Sequence, residues 1–292
     1  MTASQAIGIF DSGFGGLTVA RALSEELPNE RLIYLGDTAR CPYGPRGQEE
    51  LKHFVHQITS FLSEQEVKLI VIACNTATAA GLCYAQKHFD IPVVGVVNPG
   101  ARAAINHSRN RKIGVIATQG TIASGVYEQA IKSYDAGAQI FSKAAPAFVH
   151  MVEVSMAQRI KHKKALNVFT EEEYKIAHEY LDEFKAMHID TLVLGCTHFP
   201  LLKDLIQEVV GPEIALISSA EELALEVHDI LKRRDELADK GSALAHTFYT
   251  THEDTKSFSA TASIIFGKEN FETNYVSVQT LETFDKDYDG NL

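Results

Sequence analysis

The feature that most constrains this chain is that it contains itself twice. Ile7-Gly-Ile-Phe-Asp-Ser-Gly resembles Ile113-Gly-Val-Ile-Ala-Thr-Gln-Gly, and Leu69-Ile-Val-Ile-Ala-Cys-Asn-Thr resembles Leu192-Val-Leu-Gly-Cys-Thr-His. Ile113 follows Ile7 by 106 residues, and Cys196 follows Cys74 by 122, so the second copy keeps the order of the first with about 16 more residues. Two α/β units related by a pseudo-twofold axis are therefore expected. Any two buried parallel strands look alike, but here a cysteine falls at the same end of both.

Within each copy, short apolar runs alternate with helical patterns. Ile7–Phe10, Leu32–Leu35, Leu69–Ala73, Val93–Val97, Lys112–Ala117 and Thr191–Gly195 read as buried strands. Leu17–Leu27 and Gln48–Gln65 show apolar residues at helical spacing with a charged opposite face. Such alternation predicts an α/β fold of mainly parallel sheets flanked by helices. Glu213–Ser218 reads as a further strand and Glu221 to about Asp239 as a helix. The expected division is residues 1–98 with 212–292 as a first, discontinuous domain, and 99–211 as the second.

The chain has 292 residues, 45% hydrophobic and 22% charged, which is ample for one large core or two smaller ones. The net charge of −11 repels phosphate backbones, so nucleic acid is not the default partner. A small anion can still bind a local patch of backbone N–H groups. No signal peptide is apparent, and no apolar run approaches the roughly 20 residues needed to span a bilayer. A cytoplasmic protein acting on a small molecule, with no membrane partner, is expected.

In open α/β sheets ligands bind beyond the carboxyl ends of the strands. Five polar clusters fall there: Asp11-Ser-Gly-Phe-Gly-Gly, Cys41-Pro-Tyr-Gly, Cys74-Asn-Thr, Thr118-Gln-Gly-Thr and Cys196-Thr-His. The first is neither a dinucleotide nor a Walker loop, and it is equally well a turn needing positive φ. The default for each of the four cysteines is a small buried hydrophobe. Two of them at matching strand ends, flanked by Asn-Thr and Thr-His, admit another use. A strand end feeding a helix N-terminus is expected to lower a thiol's pKa, and the N–H groups there can hold a carboxylate. Two thiols facing one cleft suit stereoinversion: one removes a proton from a chiral carbon, the other delivers one to the opposite face. Zinc needs more ligands than Cys74, Cys196 and His198 offer at regular spacing. A Cys-His nucleophile gives Cys74 no role, and a dithiol pair leaves no room for a substrate.

At this point the motifs resemble those of glutamate racemases, in the aspartate/glutamate racemase family. The resemblance lies in Asp11-Ser-Gly-Phe-Gly-Gly, Pro42-Tyr-Gly, Ala73-Cys-Asn-Thr-Ala-Thr-Ala, Asn98-Pro-Gly-Ala, Leu194-Gly-Cys-Thr-His-Phe-Pro and His246-Thr-Phe-Tyr-Thr-Thr. It implies two pseudo-symmetric α/β domains with the site between them. Cys74 and Cys196 would be the two acid/base groups, Asp11 assisting the first and His198 the second, with Glu153 a further acidic residue near Cys196. Ser12, Tyr43, Gly44, Asn75, Thr76 and Thr197 match substrate-contacting positions, and Thr118 and Thr121 match less specifically; Asp11 and His198 would contact substrate as well. No cofactor is expected, and the D-glutamate formed would feed peptidoglycan synthesis. A homodimer is compatible, through a surface the sequence does not identify. An aspartate or hydantoin racemase of the same plan, or a non-catalytic two-lobe small-ligand carrier, are the other readings.

The chain departs from the family pattern at Ala145-Pro146 and Val149-His150, where Cys-Pro and Val-Pro are frequent; the second puts a histidine near Glu153. The first strand begins by about Ile7, so activation through a long N-terminal extension is not expected. Cys41 is read as a bystander near the cleft and Cys83 as core. His53, His56 and His178 are read as solvated.

Overall fold

The computed structural model describes residues 2–162, 168–241, 245–268 and 271–288. The first half runs β1 (Ile7–Asp11), α1 (Leu17–Glu26), β2 (Leu32–Gly36), α2 (Gln48–Glu64), β3 (Leu69–Ile72), α3 (Asn75–His88), β4 (Val93–Gly95) and α4 (Val97–His107). The second runs β5 (Lys112–Ala117), α5 (Gln119–Ala123), α6 (Val126–Tyr134), β6 (Gln139–Ala144), α7 (Pro146–His162), α8 (Glu171–Ala186), β7 (Thr191–Gly195), α9 (Lys203–Val210), β8 (Ala215–Ser218) and α10 (Ser219–Arg233). The chain closes with β9 (Thr247–Thr250), α11 (Thr255–Phe266), β10 (Thr273–Tyr275) and α12 (Val278–Glu282).

These strands form two sheets, ordered β10-β9-β2-β1-β3-β4 and β6-β5-β7-β8, with every pairing parallel. The repeat is visible in that order: β2-β1-β3-β4 recurs as β6-β5-β7-β8. The α/β class and the parallel sheets agree with the sequence reading. The boundary does not. β8 pairs with β7 in the second sheet, with Leu194 opposite Ser218. The return expected at residue 212 therefore falls one strand early. The chain rejoins the first sheet at β9, which pairs with β2, after α10 has packed against both α1 and α4.

Parallel strands covered on both faces must be apolar throughout, because neither face meets water. In β1, Ile7 and Ile9 pack on the side of α1, α10 and α11, while Phe10 faces α2 and α3. In the second sheet, Leu192 and Leu194 face α7, α8 and α9, and Val193 faces α4 and α6. Strand β6 was not anticipated: it is a partly exposed edge, and Gln139 and Ser142 break its apolar run. β9 and β10 also lacked such a run. Helix α8 is started by a capping box, Thr170 accepting from Glu173 N while Glu173 accepts from Thr170 N.

At the opposite end of the first sheet from the clusters, Lys68 and Glu30 are buried together with 2.6 Å between Nζ and Oε2. Lys68 also donates to the carbonyls of Ala3 and Glu236, and Glu30 accepts from Ala238 N. Lys68 thus ties the segments on either side of the sheet. Removing one member of such a pair strands the other without water. Lys68→Met should cost about 3–5 kcal/mol in chemical denaturation, and adding Glu30→Leu should recover part of that loss; full stability in Lys68→Met would show that the pair holds nothing.

Candidate active site

All five polar clusters lie at carboxyl ends of strands, and they meet. Asp11 ends β1, Cys74 follows β3 as the residue preceding α3, Thr118 precedes α5, and Cys196 follows β7. A cavity of about 430 Å³ lies between the two sheets' ends. Of the residues singled out in the sequence, Ser12, Tyr43, Gly44, Cys74, Asn75, Thr76, Thr118, Glu153, Cys196, Thr197 and His198 line it. Asp11 and Thr121 stand behind the wall. The Asp11 carboxylate accepts from the amides of Gly13 and Gly16 at 3.0 Å and from Thr197 Oγ1 at 3.3 Å. Thr121 bonds Thr76 Oγ1 at 3.1 Å and Thr118 Oγ1 at 3.0 Å. Tyr43 is buried, its ring packed against Phe54 and its hydroxyl donating to Asp37.

The glycine-rich turn needs glycine for a different reason than positive φ. Among the described residues the left-handed glycines are Gly125, Gly211, Gly241 and Gly267. At Gly15 the reason is closeness: a Cβ there would lie 2.5 Å from Thr197 Oγ1 and 2.6 Å from His198 Nδ1. The turn after β1 is thus pressed against the turn carrying Cys196. A second set of contacts joins the halves on the other side: Gly120 N donates to Gly44 O at 3.1 Å, and Thr76 Oγ1 meets Thr118 Oγ1 at 2.9 Å. Asn75 Oδ1 accepts from Tyr127, whose hydroxyl also meets Ser219.

The two thiols have related but unequal surroundings. Cys74 Sγ is 3.8 Å from Ser12 Oγ, and Cys196 Sγ is 3.8 Å from His198 Nδ1. His198 Nε2 is 3.7 Å from Glu153 Oε1 and makes no hydrogen bond among the described residues. The thiols are not acidified, as their helix N-termini had suggested. Burial, joined by the Asp11 charge, pushes Cys74 up to about 12. Burial also raises Cys196, joined by Cys74, Asp11 and Glu153, and outweighs the His198 amide that lowers it. For His198, burial holds the imidazole below its ordinary range against Asp11 and Glu153. Desolvation of the charged form wins in all three, over the hydrogen bonds that favour the thiolates and over the carboxylates that favour the imidazolium. Among the described residues no three such side chains are placed to share a metal ion.

Several further residues, for which the sequence implies no role, line the cavity. Cys41 is part of the wall, its Sγ 3.8 Å from Glu153 Oε1. Gln119, Val149 and His150 also line the cavity. The α7 residues arrive through β6, the strand that was not recognised. Elsewhere, Cys83 is exposed rather than core. His56 is buried, meeting Tyr84 Oη and Phe284 O, while His53 is half-buried beside Asp285 and His178 is exposed.

Two outcomes are expected. Gly15→Ala should lose about 1–3 kcal/mol of stability, read by denaturation, since backbone and the Thr197–His198 turn must part. The thiolate is the nucleophile, so a raised pKa slows alkylation at neutral pH. Iodoacetamide should therefore label exposed Cys83 first, with Cys74 and Cys196 slower by about 100-fold and Cys74 accelerating as pH rises toward about 12; mass spectrometry of timed digests reads this. Faster labelling of Cys74 or Cys196 would mean that the dipole, not burial, sets their acidity.

Residues 15–227 match the family model described as Asp/Glu/Hydantoin racemase. A glutamate racemase of Oceanobacillus iheyensis is 43% identical over 286 residues, covering 96% of this chain and 98% of that protein. The crystal structure of a glutamate racemase isoform from Bacillus anthracis superposes with a TM-score of 0.85 at 40% identity, covering 94% of this chain and 98% of that one. That of the Francisella tularensis glutamate racemase in complex with D-glutamate gives 0.84 at 32% identity, covering 96% and 99%. With its repeated parallel sheets and paired strand-end cysteines, this chain belongs to the Asp/Glu/Hydantoin racemase family.

Proposed function

We propose that this chain interconverts L- and D-glutamate without a cofactor, with Cys74 and Cys196 as the two acid/base groups, and so supplies D-glutamate for peptidoglycan synthesis in the cytoplasm. The observation that carries the reading is one cavity bordered by two buried thiols from equivalent ends of the two sheets. Relatives that cover nearly the whole chain are glutamate racemases, and one was crystallised with D-glutamate. On this reading the units are residues 1–98 together with the segment after β8, and residues 99–218.

The α-carbon sits between the sulfurs. In one direction a Cys74 thiolate takes the α-proton and the Cys196 thiol returns one to the opposite face; the reverse reaction exchanges the roles. The α-carboxylate is held by N–H groups at the start of α3 and at Thr197–His198, which stabilise charge as it spreads from the carbanion. A thiol raised by burial rests protonated, so making the base needs help that arrives with substrate. The ammonium of an amino acid introduces a positive charge beside Asp11 and Glu153. For Cys196, the neutral His198 imidazole lies where Nδ1 can receive the thiol proton. Asp11 acts through position, holding its own turn and Thr197 together.

Proton NMR of L-glutamate in D₂O with the purified protein, followed by chiral analysis, tests this. Loss of the α-proton signal with appearance of D-glutamate is expected. Cys74→Ala and Cys196→Ala should each lower racemisation by at least about 10⁴-fold. No exchange by folded, reduced wild-type protein would reject glutamate and move the substrate to aspartate or a hydantoin. Substantial racemisation by either variant would overturn the two-base assignment.

A further inference from the structure

Tyr127 on α6 reaches both cysteine turns without lining the cavity between them. Its ring lies against the strand end that leads into Cys196: a Cβ at Gly195 would fall 2.9 Å from Tyr127 Cε2. Its hydroxyl crosses to the other half of the chain and lies 2.7 Å from Oδ1 of Asn75, the residue after Cys74. Ser219 Oγ, at the start of α10, is 3.0 Å from the same hydroxyl. Room for Ser219 comes from Gly100 on α4, where a Cβ would sit 2.4 Å from its Oγ. Asn75, Tyr127 and Ser219 are all buried.

A phenol has one hydrogen, so three groups in a row must share one direction. With Ser219 donating to Tyr127, and Tyr127 to Asn75 Oδ1, each hydroxyl hydrogen has an acceptor. In the reverse direction Asn75 would donate to Tyr127 and Tyr127 to Ser219. The Ser219 hydrogen would then be left over, because Tyr127 is the one hydrogen-bond partner of its hydroxyl among the described residues. A buried donor without an acceptor is costly, so Ser219 sets the direction of the row. The amide oxygen of Asn75 is thereby occupied by a residue outside the cavity wall, while its Nδ2 makes no hydrogen bond among the described residues. Asn75 lines the cavity, and what it has left to offer a ligand is a pair of N–H donors. Turned the other way, the amide would present a carbonyl oxygen, which repels a carboxylate.

We propose that Tyr127 is a positioning residue that holds the Asn75 amide with its NH2 toward a carboxylate of the substrate. This rests on the racemase reading above, which makes that carboxylate a glutamate's. Tyr127 acts through Asn75, since it does not border the cavity itself. The amide comes from one half of the chain and its tether from the other, so the donor is set only while the two halves are in register.

Calorimetric titration with racemic glutamate tests this. Racemisation cannot change the composition of a racemate, so the titration reads binding whatever the turnover. Wild type, Tyr127→Phe, Asn75→Ala and the double variant are compared, with circular dichroism to establish folding. Tyr127→Phe keeps the ring against Gly195 and removes the hydroxyl. It should raise Kd by about three- to tenfold, the worth of one hydrogen bond. In the Asn75→Ala background the same change should alter Kd by less than about twofold, because the amide it acts through is gone. An unchanged Kd in Tyr127→Phe would overturn the proposal. So would an equal rise in both backgrounds, which would mark a role in packing α6 alone. A wild type that binds no glutamate would overturn the racemase reading and this inference together. With a wild type that binds, failure of the Tyr127 comparison falls on this inference alone, and α-proton exchange decides the racemase reading separately.

Discussion

The geometry of the site hangs on one buried carboxylate. Asp11 is wholly inaccessible, and its oxygens are filled by two amides of its own turn and by the hydroxyl of Thr197 from the other half of the chain. A buried charge left without partners is costly, so this turn and the Cys196 turn are obliged to stay in register. Gly15 completes the arrangement by removing the side chain that would otherwise separate them. The carboxylate that sets the distance between the halves also projects its negative field onto both thiols. Position and acidity are consequently coupled: what fixes the sulfurs also opposes their ionisation.

Much of the fold was legible because buried parallel strands leave uninterrupted apolar runs. Ile7–Phe10 and Leu69–Ala73 could be read without knowing their partners. The repeat then supplied the pairing of Cys74 with Cys196 at equivalent strand ends. The misplaced boundary shows what was left unused. β4, Val93–Gly95, closes the first four-strand set, so a repeat requires a counterpart after β7, and Ala215–Ser218 is that strand. Edge position hid β6, because one-sided exposure mixes Gln139 and Ser142 into the run. With β6 unread, α7 had no place in the strand order, and its one residue assigned to the site, Glu153, came from the family resemblance rather than from the fold.

The acidity of the thiols was misjudged for a physical reason. Helix N-terminus effects are legible from sequence, since Cys74 precedes Asn75-Thr76 at the start of a helix. Depth of burial is not, because it depends on how the far half of the chain closes over the site. The dipole contributes at most about 2 kcal/mol, and removing a thiolate from water easily exceeds that. The same ignorance of depth put Cys83 in the core and His56 in solvent. Residue type and neighbours identify which side chains can react; enclosure decides in which protonation state they wait.

The inequality between the two sulfurs' neighbours sets a limit on what a racemase of this design can favour. One thiol has Ser12 beside it, the other His198 backed by Glu153. Mirror-image substrates have the same free energy in water, so kcat/KM must be identical in the two directions whatever the protein does. Unlike neighbours can only redistribute each ratio between its numerator and denominator. One enantiomer is then bound tightly and turned over slowly, and the other is bound loosely and turned over fast. The chain thus has thermodynamic freedom to choose which enantiomer it holds, but none to choose which one it makes.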